Sequence, residues 1–248
     1  MENLNLKGII PEVSDRITPF VEDIMKGDSN NLHSFHIVGS ALTPDFNKKT
    51  SDINSVVVLK EMNLGFVKFL APLGKKYRKK GVAAPLIMTP EYIKTSLDVF
   101  PIEFFNFKLI HHTVFGDDIL AGLEIEDKDI RLQCEREIKT KLIWLRQGYI
   151  SSLGDKTLLR EKLSESITGY IPLFRAIIHL LGKEPPVRSH DVVVTLQEMT
   201  SIETGIFEKM LLLKRNELTL SMDELTAFFE EYYAGTERIG KIINDLHT

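Results

Sequence analysis

Residues 35–59 read FHIVGSALTPDFNKKTSDINSVVVL. A short apolar run, HSFHIV at 33–38, ends on Gly39-Ser40 and has the character of a strand. The segment closes on SDINSVVVL at 51–59, where Val56, Val57, Val58 and Leu59 make the unbroken, largely β-branched run of a strand buried on both faces. Glycine at the end of a buried strand lets backbone approach a ligand closely, and a helix starting at Ser40 would point free N–H groups at a phosphate. On the second strand Asp52 and Asn54 stand at i and i+2, so their side chains project from one face. Two oxygen-bearing groups then face the place where the loop holds phosphate. Magnesium-assisted nucleotide transfer needs that arrangement, because metal ions bridge the phosphates and stabilise the attacking and leaving oxygens.

Outward from this segment, the chain up to about Phe107 alternates short apolar runs with turns and helical stretches, the pattern of an α/β layer. Val13 to Met25 repeats apolar residues at helical spacing and stops near Gly27. Leu64 to Lys80 predicts a second helix, interrupted around Pro72 and Gly74. VAAPLIM at 82–88 predicts a third strand, kept to an edge or a bulge by Pro85. Thr89-Pro90 is a helix start, with Thr89 as N-cap and Pro90 at the first helical position. PIEFFNF at 101–107 predicts a fourth strand, and Glu103 within it needs a metal, a cation or solvent beside it, because an unpaired carboxylate in an apolar strand is costly.

After about Glu126 the periodicity becomes helical almost without relief. Helices are predicted near 127–151, 156–182, 189–201, 203–217 and 221–246, with Ser221 to Glu224 spaced as a capping box for the last. The expected organisation is an α/β domain with a mixed sheet over residues 1–125, followed by an all-α helical bundle over 126–248.

The order helix, strand, Gly-Ser, strand with Asp-x-Asn, later acidic segment resembles the nucleotidyltransferase superfamily, especially bacterial aminoglycoside nucleotidyltransferases. Their signature is a Gly-Ser pair, a short spacer and Asp-x-Asp or Asp-x-Glu. Gly39, Ser40, Ser51 and Asp52 match, and Asn54 departs from it. The resemblance covers roughly residues 10–125 and extends to VFGDDIL at 114–120. It implies a third carboxylate on a later neighbouring strand, for which Glu103 is the best match. It also implies a site in which Asp52, Asn54 and Glu103 hold magnesium, Asp52 and Glu103 being catalytic, while Gly39, Ser40, Ser51 and Lys49 serve ATP or another nucleoside triphosphate. The acceptor would sit between the two domains.

Asn54 divides the expectations. Its amide oxygen can ligate magnesium but brings no negative charge, so the site would hold metal weakly or not at all and lose much of its transition-state stabilisation. The first expectation is therefore a nucleotidyltransferase-type protein with a degenerate metal site, binding a nucleotide or a partner in the interdomain cleft. The alternatives are an active magnesium-dependent enzyme that moves a nucleoside monophosphate onto a hydroxyl of a small molecule, protein or RNA, and a non-catalytic interaction module.

Other features carry plainer readings. Lys75-Lys76-Tyr77-Arg78-Lys79-Lys80 suits a solvated helix C-terminus, or else a phosphate-binding surface with Tyr77 free to stack. His33, His36, His111 and His112 lack the acidic or cysteine partners of a zinc site. Arg175 and His179 are one residue short of the spacing in the ribonuclease motif of HEPN domains. The lone Cys134 sits in an amphipathic pattern and cannot form an intramolecular bridge. A net charge of -4 with 27% charged residues gives no general field for nucleic acid, which is not favoured as a partner. No apolar run reaches the roughly 18–20 residues that span a bilayer, and MENLNLKGII lacks the pattern of a signal peptide, so a cytoplasmic protein is expected. The acceptor, base preference and oligomeric state have no signature in the sequence.

Overall fold

Strand β2 (Asn54–Leu59) is buried from Ser55 onward because the sheet is covered on both faces there. It pairs antiparallel with β1 (Leu32–Val38) and parallel with β3 (Leu86–Met88), while β4 (His111–Gly116) runs antiparallel along the other side of β1. The order β3-β2-β1-β4 makes a mixed sheet. The computed structural model describes residues 4–246.

Helices α1 (Pro11–Asp28) and α2 (Leu64–Arg78) contribute to the core on the face bearing Phe35, Ile37, Ile53, Val57 and Leu59. Val13, Ile17, Phe20, Val21 and Ile24 from α1 join Phe66, Leu70 and Tyr77 from α2 there, each buried side chain contributing about 1.5–3 kcal/mol. Phe20 meets Phe35 edge-on at 6.2 Å and Tyr77 at 5.1 Å between ring centroids. Helix α2 runs through Pro72 without the expected interruption, because its buried face outweighs the lost backbone hydrogen bond at an exposed turn. Ser55, on the same sheet face as Ile37, is 2% exposed, and its hydroxyl has no partner among the described residues.

Two further expectations need correction. Residues 82–88 form a strand only over Leu86–Met88, joined to an isolated bridge at Val82; Pro85, which has no N–H to donate, lies between them. Residues 101–107 are not a strand but the start of helix α4 (Pro101–Leu109). Pro101 stands at the first helical position and Glu103 in the first turn, both helix-start features, and these prevailed over the β propensity of the aromatic run. The fourth strand is instead His111–Gly116. Helix α3 (Pro90–Lys94) begins as its sequence indicates, with Thr89 Oγ1 accepting from Tyr92 N–H at 3.1 Å.

The remaining chain is helical: α5 (Asp127–Ser151), α6 (Lys156–Ser166), α7 (Tyr170–Leu180), α8 (Ser189–Thr200), α9 (Gly205–Lys214) and α10 (Met222–Asp245). The single helix expected over 156–182 is split, because Gly169 takes φ +82° and resets the chain into α7. The capping box before α10 is complete, with Glu224 N–H donating to Ser221 Oγ at 3.2 Å and Ser221 N–H to Glu224 Oε2 at 2.6 Å. Tyr170, Phe174, Phe207 and Tyr232 form the aromatic centre of this bundle, and Tyr170 Oη lies 2.9 Å from Thr236 Oγ1. The chain resolves into two compact units, one comprising the chain up to Phe100 with Phe104–Glu124, the other Pro101–Glu103 with the chain from Ile125 onward. No described helix is long and apolar enough to cross a membrane.

Candidate functional site

The candidate site lies where β1 ends and β2 begins. At Gly39 the backbone turns with φ +75° into a 3-10 turn, Gly39–Leu42, and a Cβ there would meet nothing within 4 Å. Glycine is therefore required by conformation, and the space above it is open. Gly39 N–H donates to Ile110 O at 3.2 Å, and Ser40 O accepts from both Thr43 N–H and Thr43 Oγ1. A four-residue turn lacks the aligned peptides that give a longer helix its dipole. The loop that follows closes on itself: Ser51 Oγ accepts from Asn47 N–H at 3.1 Å, and Asn47 Oδ1 accepts from Lys49 N–H at 2.9 Å. Ser51 thus staples the loop, while the Lys49 side chain is exposed.

Asn54 stands directly opposite Val38 in the antiparallel ladder. Asp52 and Asn54 are exposed, alternating with the buried Ile53 and Ser55, so both lie on the face opposite the α1–α2 core. Ile53 N–H donates to Gly81 O at 2.8 Å and Ala83 N–H to Ile53 O at 3.0 Å, which sets residues 81–84 alongside Asp52–Asn54. That neighbouring segment reads GVAAPLIM over 81–88 and contains no carboxylate; its exposed Ala84 lies two residues before Leu86, the partner of Val56.

Glu103 does not lie on the strand that neighbours β2. It sits in the first turn of α4, where its Oε2 accepts from Gln133 Nε2 at 2.9 Å, and the other end of the same amide accepts from Ile102 N–H at 2.8 Å. Gln133 is only 5% exposed and ties the first turn of α4 to α5; an amide among the apolar positions of α5 was the available signal for it. Among the described residues no group of three or more His, Cys, Asp or Glu is placed to hold a metal ion. Where β2 begins, beside Gly39, the chain thus offers one carboxylate and one amide, and the Asp118 carboxylate, across β1 and just past β4, is engaged by His111. This is a poor fit to magnesium, which favours several hard, charged oxygens in near-octahedral array.

A histidine network on this sheet face was not legible as such in the sequence. His36, fully buried, has Nε2 2.8 Å from Ser34 Oγ and Nδ1 2.9 Å from Thr113 Oγ1. Its ring meets that of His111 edge-on at 6.1 Å, and His111 Nε2 lies 2.9 Å from Asp118 Oδ1. Burial, then the charge of His111, pulls the His36 pKa down to about 4. Burial opposes ionisation of Asp118, but the Ala121 N–H and His111 outweigh it and hold that carboxyl below its usual range. His111 is also opposite Val38, so Asn54, Val38 and His111 form one row across three strands.

The basic run resolves into separate roles. Tyr77 is buried, not free to stack: its hydroxyl donates toward Pro19 O at 2.8 Å and Asp23 Oδ2 at 2.7 Å. Lys76 pairs with Asp23 at 2.7 Å, and the Lys80 ammonium lies 5.2 Å from the Tyr77 ring centre. Lys75, Arg78 and Lys79 are exposed and pair with no carboxylate among the described residues. From α1, Arg16 pairs with Glu12 and donates to Lys48 O at 3.1 Å; its Nη1 would lie 3.0 Å from a Cβ on Gly81.

In the helical unit Arg175 is buried and donates to Pro186 O at 3.1 Å and Val187 O at 2.6 Å, fastening the connection between α7 and α8. His179 Nε2 meets Asp127 Oδ1 at 2.8 Å. Both are accounted for structurally. Burial raises the Cys134 thiol far above the range of a reactive cysteine.

No protein-family profile and no curated protein sequence matches the chain. Among solved structures, the crystal structure of spectinomycin adenyltransferase AAD(9) from Enterococcus faecialis, with ATP and spectinomycin, is similar at a TM-score of 0.55 and 16% sequence identity, over 91% of this chain and 98% of that one. At such identity the likeness is one of fold. The chain has a nucleotidyltransferase-like fold, an α/β domain with a mixed sheet followed by a helical bundle.

Proposed function

We propose that this protein binds ATP or another nucleoside triphosphate at the Gly39–Ser40 end of its sheet and that its metal site is degenerate, so that it acts by binding rather than by rapid nucleotidyl transfer. One observation carries the reading: beside Asp52, neither Asn54 nor any residue of 81–88 supplies a second carboxylate. A metal acting as Lewis acid contributes on the order of several kcal/mol to such a reaction, and each ~1.4 kcal/mol is tenfold in rate, so a site that holds metal poorly loses orders of magnitude. Binding is a separate matter. The open turn at Gly39, the Ser40 hydroxyl beside it and Lys49 in the following loop are the groups left to meet phosphates. That the AAD(9) structure of similar fold contains ATP supports a nucleotide as the ligand.

The test is calorimetric titration of ATP, with and without magnesium, alongside a transfer assay using labelled ATP and pooled small-molecule hydroxyl acceptors. Micromolar binding without turnover is expected. Rapid turnover by the native protein would overturn the degenerate-site reading and favour an active nucleotidyltransferase. Absence of ATP binding under every condition would leave an interaction module.

A further inference from the structure

The sheet end where the strand segment beside Asp52 carries no carboxylate is also where cations gather. Arg78, Lys79 and Lys80 run directly into Gly81, whose carbonyl accepts from Ile53 N–H at 2.8 Å. Gly81, where the basic run ends, therefore lies one strand away from Ile53 and two from Gly39, roughly 10 Å at ordinary strand spacing, at the sheet edge between the α2 side and the Asp52–Asn54 face. Arg16 bridges the same place to the neighbouring loop, reaching toward Gly81 and donating to Lys48 O, next to Lys49. Glu12 neutralises part of this charge through Arg16 and Lys48. Lys49, Arg78 and Lys79 pair with no carboxylate among the described residues, in a chain whose net charge is -4. Acidic overall, the protein gathers at this end cations that outnumber the neighbouring acids Asp52 and Glu12.

We propose that this cationic rim binds the phosphates of a nucleoside polyphosphate directly, making the site a receptor for the metal-free nucleotide. The inference rests on the nucleotide-binding reading above and sharpens it. A triphosphate carries close to four negative charges; where protein carboxylates are scarce, a bound magnesium has few ligands to gain from the protein and cancels charge the rim attracts. Guanidinium and ammonium groups supply directional donors to phosphate oxygens at a distance the run can span. Binding of this kind falls with ionic strength.

Calorimetry on the full chain separates the outcomes. ATP is titrated in EDTA and in excess magnesium, into the native protein, Arg78→Glu/Lys79→Glu, and Lys209→Glu, an exposed charge reversal on α9 that controls for net charge. The expected result is affinity in EDTA at least equal to that in magnesium, a loss of tenfold or more in Arg78→Glu/Lys79→Glu, and little change in Lys209→Glu. Circular dichroism checks that each variant is folded. Binding that requires magnesium, or that survives reversal of Arg78 and Lys79, would overturn the metal-free rim while leaving nucleotide binding intact. A short RNA bound more tightly than ATP through the same two residues would overturn it in favour of a nucleic-acid surface. No ATP binding in any buffer would remove the underlying reading as well.

Discussion

Val38, the last residue of β1, stands opposite Asn54, the first residue of β2. The ladder therefore holds the Gly39 turn and the Asn54 amide at a fixed spacing, set by backbone hydrogen bonds within a buried sheet. Asn54 supplies an amide where Asp52, two residues earlier, supplies a carboxylate, and the ladder that positions them is continuous. That ladder allows further carboxylates to be placed there without altering the backbone.

Asn54→Asp together with Ala84→Glu introduces two carboxylates beside Asp52, on exposed positions of adjacent strand segments. Magnesium affinity is expected to rise by about tenfold or more over the native protein, since affinity follows the number of charged oxygen ligands. Titration calorimetry with magnesium chloride checks this. Equal affinities in the native and doubly substituted proteins would mean that the two positions do not face one ion.

His36 gives the α/β unit a defined acid sensitivity. Its folded pKa of about 4 lies below the ordinary histidine value of 6.5, so between those values the unfolded chain binds the extra proton and stability falls as pH drops. The full shift corresponds to about 3 kcal/mol. In urea denaturation from pH 7 to pH 4, His36→Gln is expected to lose less stability than the native protein. Parallel curves would rule out His36 as the source.

Two glycines with the same backbone angle are expected to respond differently to alanine. Both Gly39 and Gly116 have φ +75°, but a Cβ on Gly39 meets nothing, whereas one on Gly116 would lie 2.1 Å from the His33 carbonyl. Gly39→Ala should destabilise by about 1–2 kcal/mol through conformation alone. Gly116→Ala adds a backbone clash within the β1–β4 ladder and should be markedly worse. Thermal melts of the two variants provide the comparison; equal shifts would contradict it.

Tyr77→Phe removes a hydroxyl that donates to Pro19 O and Asp23. A loss of about 1–2 kcal/mol is expected, with ATP affinity unchanged because the ring is inside the core. Weakened nucleotide binding in a variant of near-native stability would instead assign the ring to the site.

Gln133→Leu should destabilise more than Glu103→Ala. The first removes a buried amide that accepts from the Ile102 N–H and donates to Glu103, while the second removes only an exposed carboxylate from one end of the same amide. Urea unfolding of both variants tests the order.

The sequence was most legible where local pattern and burial agree. Val56 to Leu59 announce a central strand, Asp52 and Asn54 alternate as a strand requires, and Ser221 with Glu224 marks a helix start that forms as written. It misled where two local signals competed. Ile102, Phe104, Phe105 and Phe107 favour a strand, yet Pro101 and Glu103 start a helix, and the polar stretch from His111 supplies the strand instead. That the segment beside Asp52 to Asn54 carries no carboxylate could not be read until pairing showed that Gly81 to Ala84 run there. His36 and Thr113 meet through strand pairing across a long interval of sequence, which no local window contains.

The order β3-β2-β1-β4 also has a consequence for how the chain reaches its folded state. β1 and β2 are near in sequence and can pair early, but one side of β1 stays open until His111–Gly116 is available. Closing so long a loop is slow relative to local pairing, and a bare strand edge in the interim invites association between chains. During synthesis the Gly39 turn waits for Ile110 before its N–H finds that acceptor, so the Gly39 end of the sheet is completed late.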